Sequence, residues 1–578
     1  MKLFDLVLEN TLDGAEELYV QGARAAEGAI ALSDGESVSF RTYFNILSEE
    51  YARLCGIGSA TLELEAEGDF RLDMFRYTSG GEKPIGSVFC SGNCSEEVPL
   101  EGKDAGYIYF TVTALGKCRV TGGRWTVQKQ PEREVKIGMV ICTYRRESFV
   151  ETNIARIAEG LKSRPYMADK LHVFIVDNAG TLRLPESSFY TVIKNRNLGG
   201  SGGFTRGICA VCDDPSFTHF LLTDDDISFD FGVTERTLLL LSALTPEHAG
   251  ATLGGAMLTL EKPWMQYECG GKYDGLRFKV INSRLDMRKP QSLLKIQRPE
   301  KPDYYGWWYC CMPVSSVKEH GLPMPFFIKG DDVEYCMRAA GEKISLSGIG
   351  VWHQDFAGKY TGTLEYYTKR NLAAVSAMRC MAGGFKPAVR FAYFMFKSLL
   401  LKNYSCAQAL YEAYEDFMKG PRFFMESDPE EINAHIRALE NRICDAEETE
   451  RVCGGRPQVR EWDPDKRSEF FRCLFLALEN YLPAFMFSEK VAVTDMGNPI
   501  AADCFLHRTV VHYDKKSGRG MILSLDVKKR RELRRKTFKV FFGLLFRYGK
   551  MKKLYRAGAD EMCSRKNWDR LFFAKKED

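Results

Sequence analysis

Features that would send a chain across a membrane are scarce in this sequence of 578 residues. Its longest apolar clusters, such as FAYFMFKSLLL at 391–401, are much shorter than the ~20 residues that span a bilayer. The first 19 residues contain five acids and no apolar core suited to export. These absences predict a cytoplasmic protein.

Cysteine is plentiful, but its spacing does not suggest a zinc site. Cys90 and Cys94 lie close together, as do Cys209 and Cys212, yet neither pair has a second pair at zinc-ribbon distance. The 18 cysteines are scattered along the whole chain. We therefore expect reduced, mostly buried thiols rather than a disulfide framework or structural zinc.

The length and the hydrophobic pattern predict about three domains, at ~150 residues each. Residues 1–130 alternate short β-like runs with Gly-rich turns, which predicts an antiparallel, carbohydrate-binding-like β-sandwich. In 131–385, apolar strands alternate with amphipathic segments, which is typical of a Rossmann-like parallel sheet with crossover helices. Residues 386–578 show a mainly helical pattern.

The small net charge of +3 conceals a basic segment near the end of the chain. Residues 528–556 contain 13 Lys and Arg and one acid, so this segment carries +12 and the remainder −9. The bases surround an apolar centre, FKVFFGLLFRY. This pattern favours a helix lying on an anionic membrane surface. A core helix with a solvated basic face is the alternative, and a nucleic-acid patch is disfavoured because no nucleic-acid module accompanies it.

Three consecutive carboxylates, Asp224, Asp225 and Asp226, follow the apolar run HFLLT. In an extended segment, Asp224 and Asp226 point to one side and Asp225 to the other. So much negative charge at a strand end needs a cation, which predicts a divalent-metal site serving a phosphorylated substrate. The alternative for such a triplet alone is a solvated acidic turn.

Two further predicted strands also end in polar residues. CTYRR offers hydroxyl and guanidinium donors suited to a nucleotide along Thr143–Arg146, and VDNAG supplies Asp177 as an acceptor for a uracil or ribose group. In open α/β sheets, ligands bind beyond the carboxyl ends of the strands. The Gly-rich segment 195–204 follows and permits close backbone approach to a phosphate; a flexible surface loop is its alternative.

Aromatic and acidic residues cluster again between 304 and 353. Trp307 and Trp308 lie in an aromatic run suited to stacking on sugars, although core packing is the common fate of such rings. Asp331 and Asp332 follow an apolar run and are placed for general-base work. His353 ends another apolar strand and is a candidate third metal ligand, though a lone histidine is more often a packed residue.

The order of these motifs resembles the family 2 galactofuranosyltransferases, which polymerise galactofuranose onto cell-surface glycans. The resemblance covers about 25–420 and is most diagnostic at 326–353, and it rests on CTYRR, VDN, NLGGSGGF, TDDD, GGAM, GWWY, FFIKGDDVEYCMRAA, VWH and YTKRN. It implies an N-terminal β-sandwich, a central type-A (GT-A) nucleotide-sugar transferase domain, and a C-terminal helical region that oligomerises the protein and touches the membrane.

The resemblance also implies a role for each matching residue in an inverting transfer from UDP-galactofuranose to a glycan hydroxyl. Asp224, Asp226 and His353 would hold Mn²⁺ or Mg²⁺, and Asp332 would be the catalytic base. The sugar or acceptor would contact Trp307, Trp308 and Asp331. The nucleotide sugar would be bound by Thr143, Arg145, Asp177, Asn197, Gly199, Gly200 and Asp225.

Two positions depart from the family pattern. Gly330 stands where a bulky residue is expected, and the segment QDFAGKYTGT after His353 does not align. Both positions would border the acceptor, so the resemblance specifies the donor better than the acceptor or the linkage.

Three other functions are compatible with parts of the sequence. A transferase of the same fold could use another donor, such as UDP-galactopyranose or a deoxysugar nucleotide, because pocket shape selects the sugar. A sugar-phosphate nucleotidyltransferase would carry a Gly-rich loop after the first strand, whereas CTYRRES has no glycine. A non-catalytic carbohydrate-binding protein would not need both the acid triplet and the acid pair.

Overall fold

The computed structural model describes residues 1–9, 12–102, 105–275, 278–297, 300–355, 360–460, 473 and 475–574. Residues 356–359, part of the unaligned segment after His353, lie outside them. The predicted α/β class is confirmed: β-sheets form the N-terminal part, a mixed sheet with helices forms the centre, and helices dominate the C-terminal part.

Two antiparallel sheets of six and five strands build the N-terminal sandwich. Alternation of buried and exposed residues, clearest in SATLELEAE, turns one face of each sheet toward a shared core. The short helix α1 is Glu50–Cys55. The strands are β1 Lys2–Asp5, β2 Ala25–Ala26, β3 Ala29–Leu32, β4 Ser37–Ser39, β5 Leu47–Ser48, β6 Ser59–Glu67, β7 Asp69–Thr78, β8 Gly81–Ser91, β9 Cys94–Pro99, β10 Tyr107–Ala114 and β11 Cys118–Thr126.

The central part begins with two strand–helix units and continues through short strands. Its strands are β12 Ile137–Thr143, β13 Leu171–Asp177, β14 Tyr190–Lys194, β15 His219–Asp224, β16 Thr252–Gly254, β17 Ala256–Thr259, β18 Met265–Glu268, β19 Gly271–Tyr273, β20 Phe278–Val280, β21 Leu285–Asp286, β22 Cys310–Pro313, β23 Lys343–Ile344 and β24 Gly350–His353. Its helices are α2 Glu147–Ser163, α3 Gly199–Asp213, α4 Phe231–Ala243, α5 Pro290–Gln297, α6 Ser315–His320, α7 Asp331–Ala339 and α8 Gly362–Met378.

Seven of these strands form one mixed sheet in the order β14, β13, β12, β15, β22, β16, β23. The first four are parallel, whereas β22 runs antiparallel to both its neighbours. Near-continuous apolar strands such as IGMVICT are buried along almost their whole length, as is typical of parallel strands in α/β sheets. A second sheet, in the order β21, β18, β17, β24, carries His353 at its end.

The C-terminal part contains more than the predicted helices. Its helices are α9 Phe385–Leu400, α10 Tyr404–Lys419, α11 Pro421–Glu426, α12 Pro429–Ala438, α13 Ala446–Cys453, α14 Val527–Ala557, α15 Ala559–Met562 and α16 Arg565–Phe573. A three-stranded sheet, absent from the sequence prediction, is formed by β25 Ser488–Asp495, β26 His507–Tyr513 and β27 Gly520–Ser524. Helix α14 packs on α8, α9 and α10. No described helix has both the length and the apolarity needed to cross a membrane.

The prediction of reduced thiols is wrong for one pair. Cys90 on β8 and Cys94 on β9 form a disulfide, because the chain passes there from one sheet of the sandwich to the other and brings the two Cα atoms to 6.1 Å. The other 16 cysteines form no disulfide within the described residues, and most of them are buried.

Candidate active site

The carboxyl ends of the parallel strands meet at one edge of the central sheet. The strand register pairs Thr143 with Asp177 and Cys142 with Asp224. The three polar strand ends found in the sequence therefore lie side by side. This edge is where ligands bind in open α/β sheets.

Asp224, Asp226 and His353 bring three ligand atoms within 4.8 Å of one another. His353 Nε2 lies 3.1 Å from Asp226 Oδ1, and Nδ1 donates to the Gln354 carbonyl at 2.6 Å. That hydrogen bond turns Nε2 toward the carboxylates, as in histidines that bind metals. Burial and the neighbouring Asp226 raise the pKa of Asp224 to about 6. Two crowded carboxylates and an imidazole are a donor set that fits Mn²⁺ or Mg²⁺.

The second acid pair begins helix α7. Asp331 and Asp332 occupy its first two positions, where the helix dipole favours negative charge. Burial and the neighbouring Asp332 raise the pKa of Asp331 to about 7, and burial also raises the pKa of Asp332. Asp332 Oδ1 accepts from the Val333 amide at 2.8 Å. The pair therefore holds a proton more readily than exposed aspartates do.

A single cavity of about 570 Å³ unites the two acid groups. Asp224, Asp226 and His353 line it together with Asp331 and Asp332. A volume of this order is within the range of small-molecule sites. Residues far apart in the sequence thus face one space large enough for a nucleotide sugar.

Both predicted tryptophans also line this cavity. Trp308 is tied to the scaffold, because its Nε1 donates to the Gly255 carbonyl at 3.0 Å. Among the residues that the structure describes, the buried Nε1 of Trp307 has no hydrogen-bond partner, while its ring contacts Phe204 and Tyr335 edge-on. A buried indole N–H without a partner is costly, so a ligand hydroxyl that accepts from it would be stabilised.

Of the seven residues predicted to bind the nucleotide sugar, only Gly200 lines the cavity. Thr143 donates to Asp225 at 2.7 Å, behind the cavity wall. The Asp177 carboxylate accepts from the backbone amides of residues 179, 180 and 182, and therefore stabilises its own turn. Asn197 accepts from the Gly199 amide at 3.1 Å. Their roles in binding stay predictions.

The structure places Arg146, rather than the predicted Arg145, at the cavity. Arg145 has a φ of +55° and lies against the ring of Tyr144. Arg146 Nη1 contacts Asp225 Oδ1 at 2.9 Å and Asp226 Oδ2 at 2.7 Å. The guanidinium therefore neutralises part of the charge of the acid triplet.

Sequence reasoning also missed Glu268, at the end of β18. Glu268 lines the cavity and is 6% exposed. Burial and the nearby Asp332 raise its pKa to about 8. Its position at a strand end, before CGGK, was the available signal. The cavity wall also includes polar residues that were not among the predicted site residues, namely Tyr267, Tyr304, Lys329 and Thr368.

The chain has relatives among known proteins. Residues 11–128 match the family model described as Galactofuranosyltransferase 2 N-terminal. The chain is 25% identical over 464 residues to galactofuranosyltransferase GlfT2 of Mycolicibacterium smegmatis, a match that covers 72% of this chain and 69% of that protein. With GlfT2 of Mycobacterium tuberculosis it shares 25% identity over 431 residues, or 66% of this chain and 65% of the relative.

The chain is related to the galactofuranosyltransferase 2 proteins. The relationship and the cavity together identify an enzyme of the glycosyltransferase class. Two solved structures are more distant. A Pyrobaculum calidifontis mannosyltransferase in complex with GDP-Man and Mn²⁺ is 12% identical, with a TM-score of 0.30 over 54% of this chain and 83% of its own. Mannosyl-3-phosphoglycerate synthase of Rubrobacter xylanophilus is 15% identical, with a TM-score of 0.27 over 43% of this chain and 76% of its own. Neither supports a residue-level comparison.

Proposed function

We propose that the protein is an inverting, metal-dependent GT-A galactofuranosyltransferase, which moves galactofuranose from UDP-galactofuranose to a hydroxyl of a cell-surface glycan. One observation supports this most strongly: Asp224, Asp226, His353, the later acid pair and both tryptophans line one cavity. The printed activity of the two mycobacterial relatives supports the choice of sugar. We also propose the division into a sandwich at 1–130, a transferase domain at 131–385 and a C-terminal region at 386–578.

In the proposed reaction, Asp332 takes the proton of the acceptor hydroxyl. The acceptor oxygen attacks the anomeric carbon from the face opposite the departing UDP, so the anomeric configuration inverts. Burial raises the pKa of Asp332 and so favours its protonated form, and general-base assistance is worth ~10²–10⁴ in rate. Trp307 and Trp308 form the sugar wall, while Arg146 faces the diphosphate.

Asp224, Asp226 and His353 would hold Mn²⁺ or Mg²⁺. The bound ion supplies charge neutralisation for the leaving diphosphate, an effect worth several kcal/mol. The crowding of two carboxylates in a buried site fits this role, because a cation relieves their mutual repulsion.

UDP release from different donors tests the proposed activity. Purified protein with Mn²⁺ is incubated with UDP-galactofuranose, UDP-galactopyranose and a deoxysugar nucleotide, and EDTA provides the metal-free control. We expect UDP release from UDP-galactofuranose alone, and its loss in EDTA. Faster release from either of the other donors would contradict the assignment of galactofuranose but not the assignment as a transferase. Release that EDTA does not diminish would contradict the proposed role of the metal.

We further propose that helix α14 rests on an anionic membrane surface. Its buried face includes Val540 and Leu544, whereas Phe538, Phe542 and Phe546 are exposed along one line of the opposite face. Phe542 and Phe546 stack on each other at 6.2 Å. Exposed bases, namely Arg531, Arg535, Lys539, Arg547, Lys550 and Lys553, flank this aromatic line. Aromatic rings bounded by bases suit the boundary between headgroups and acyl chains.

Vesicle sedimentation tests the membrane proposal. We expect binding to phosphatidylglycerol vesicles and little binding to phosphatidylcholine, because each base near an anionic surface contributes about 1 kcal/mol. Phe546→Ser should weaken this binding, whereas Phe89→Ser in the sandwich should not, although both rings are 76% exposed. Equal binding by the two variants would contradict the proposal.

We also propose that the protein forms a homo-oligomer, which sedimentation velocity would test.

A further inference from the structure

The backbone that leads into the acid pair has an unfavourable conformation. Phe327, Lys329 and Gly330 have φ angles of +72°, +67° and +86°. For residues with a side chain, the left-handed region costs roughly 1–3 kcal/mol each. The local sequence therefore does not favour this turn, which has to be stabilised by its neighbours. Asp331 and Asp332 follow it directly, so the turn fixes where their carboxylates lie.

One amide group on helix α8 holds most of this turn. Asn371 is fully buried, and its Nδ2 donates to the carbonyls of residues 326, 328 and 329 at 3.2, 2.8 and 2.7 Å. Arg370 Nη2 donates to the Phe326 carbonyl as well, at 3.0 Å. Backbone carbonyls that converge on one N–H₂ group are satisfied only while that group stays in place.

The orientation of the Asn371 amide is itself fixed. Its Oδ1 accepts from Arg370 Nε at 2.9 Å, so the nitrogen must face the turn. Arg370 in turn donates to the Tyr366 hydroxyl at 2.9 Å, which donates to Asp416 at 2.5 Å. This hydrogen-bonded chain links the acid turn to helix α10.

The opposite side of the turn rests on the Gly-rich segment. The Ser201 amide donates to the Phe327 carbonyl at 3.0 Å, and Ser201 Oγ donates to the Met324 carbonyl at 2.6 Å. A Cβ on Gly199 would lie 2.2 Å from the Phe327 carbonyl oxygen. The turn is therefore held between helices α3 and α8, and Asn371 provides most of the contacts on the α8 side.

We propose that Asn371 is a positioning residue for the acid pair. Through the backbone of residues 326–330, it sets where Asp331 and Asp332 lie in the cavity. Asn371 does not line the cavity and acts without touching the substrate. The proposal rests on the role given to Asp332 in the proposed function. A misplacement of 1 Å is enough to lower a rate about 10²-fold.

Asn371→Asp tests this role, because it keeps the shape but removes both donors and points a carboxylate at three carbonyls. Asn567→Asp is a matched control in helix α16. Asn567 is also buried, its Nδ2 donates to the Met562 carbonyl at 2.8 Å, and its Oδ1 accepts from Arg570 at 2.8 Å. Both variants lose a buried amide donor, but only one of them faces the acid turn.

We expect Asn371→Asp to lower kcat about 10²-fold and to change the donor KM by less than about threefold. Asn567→Asp should keep wild-type kcat per folded molecule, even where it lowers Tm as much. Equal kcat in the two variants would overturn the proposal. So would a loss confined to donor KM, since that would place Asn371 with donor binding.

If Asn371→Asp does not fold, Asn371→Ala provides a second variant. It removes the same donors without adding charge, and we expect a similar loss of kcat. In an Asp332→Asn background, either Asn371 change should lower the residual rate by less than about twofold, because residues that act as a unit are not additive. A full additive loss there would contradict action through Asp332. All rates are measured with the donor that the wild type uses. A wrong donor assignment would therefore be detected with the wild-type protein and would not affect the comparison of the variants.

Discussion

Two adjacent arginines show what single residues contribute to the cavity. The left-handed backbone of Arg145 directs its side chain to Tyr144, and Arg146 takes the place beside Asp226. The residue pattern offered both arginines and the family resemblance selected Arg145, whereas the structure places Arg146 on the cavity wall. That choice depends on one φ angle, which residue type does not reveal.

The two arginines are distinguished by donor affinity. We expect Arg146→Ala to weaken UDP binding in the presence of Mn²⁺ by roughly 10- to 100-fold, the worth of a charge-assisted hydrogen bond. Arg145→Ala should change it little. Isothermal titration calorimetry measures both, and a larger loss in Arg145→Ala would restore the assignment made from the sequence.

Glu268 predicts an unusual dependence of stability on pH. Its folded pKa of about 8 lies above the ordinary value of 4.5, so the native state binds more protons than the unfolded state between these values. The contribution of Glu268 to the free energy of unfolding is therefore fully present at low pH and is lost as the pH rises toward 8. Glu268→Gln removes the penalty, since the amide has no charge to desolvate.

Thermal unfolding in EDTA without donor checks this expectation. Tm of Glu268→Gln should match the wild type near pH 5 and exceed it at pH 9. Because one pKa unit is worth about 1.4 kcal/mol, the difference should amount to more than about 1 kcal/mol. A Tm difference that does not change with pH would contradict the raised pKa.

At the scale of elements, the Gly-rich segment of helix α3 serves packing as much as ligand approach. A Cβ at Gly203 would lie 2.1 Å from Cys142 Sγ, and one at Gly207 would lie 2.1 Å from Val140. Only Gly200 has open space around it and lines the cavity. The glycines in the sequence indicated a close approach to the backbone. Close packing against a strand and close approach of a phosphate both require glycine, so the residue type alone did not distinguish them.

Gly199 and Gly200 therefore respond differently to alanine. Gly199→Ala meets the Phe327 carbonyl at a φ of +69°, and we expect it to destabilise the protein by about 1–3 kcal/mol. Gly200→Ala has nothing within 4 Å and should leave Tm near the wild type. Denaturant unfolding compares them, and an equal loss in both would contradict the packing role.

Helix α14 and the three-stranded sheet show how well local pattern predicts whole elements. The basic segment at 528–556 lies within a helix of 31 residues, Val527–Ala557. The strands β25 to β27 were missed, although VAVTD and TVVHY are rich in β-branched residues. β25 and β26 pair in parallel across an intervening loop, and local periodicity does not reveal such pairing.

At the scale of the whole molecule, the fold class could be predicted from the alternation of strands and helices in the sequence. The contacts between the sandwich and the transferase part could not be predicted in this way. Tyr43 donates to the Ile349 carbonyl at 3.2 Å, and Arg236 donates to the Phe44 carbonyl at 2.7 Å. Lys2 pairs with Glu235 at 2.6 Å. These contacts join residues that no sequence motif relates.

The meeting of the two acid groups was better predicted than this junction. Asp224 and Asp226 end a strand of the main sheet, His353 ends a strand of the second sheet, and Asp332 begins a helix. Each position is an element end, where polar residues follow apolar runs and are visible in the sequence. Their common cavity is a property of the fold, which the family resemblance implied and local pattern did not.

The central claim is that two steps take place at different groups of one cavity: the donor binds at the acid triplet, and the proton is transferred at the acid pair. Donor binding with Mn²⁺ and donor turnover are measured on the same preparations of Asp226→Ala and Asp332→Asn. We predict that Asp226→Ala loses metal-dependent donor affinity, and that Asp332→Asn binds the donor nearly as the wild type does while the transfer rate falls by ~10²–10⁴ to a small residual value. Metal-dependent affinity retained in Asp226→Ala, or donor binding lost in Asp332→Asn, would contradict the account.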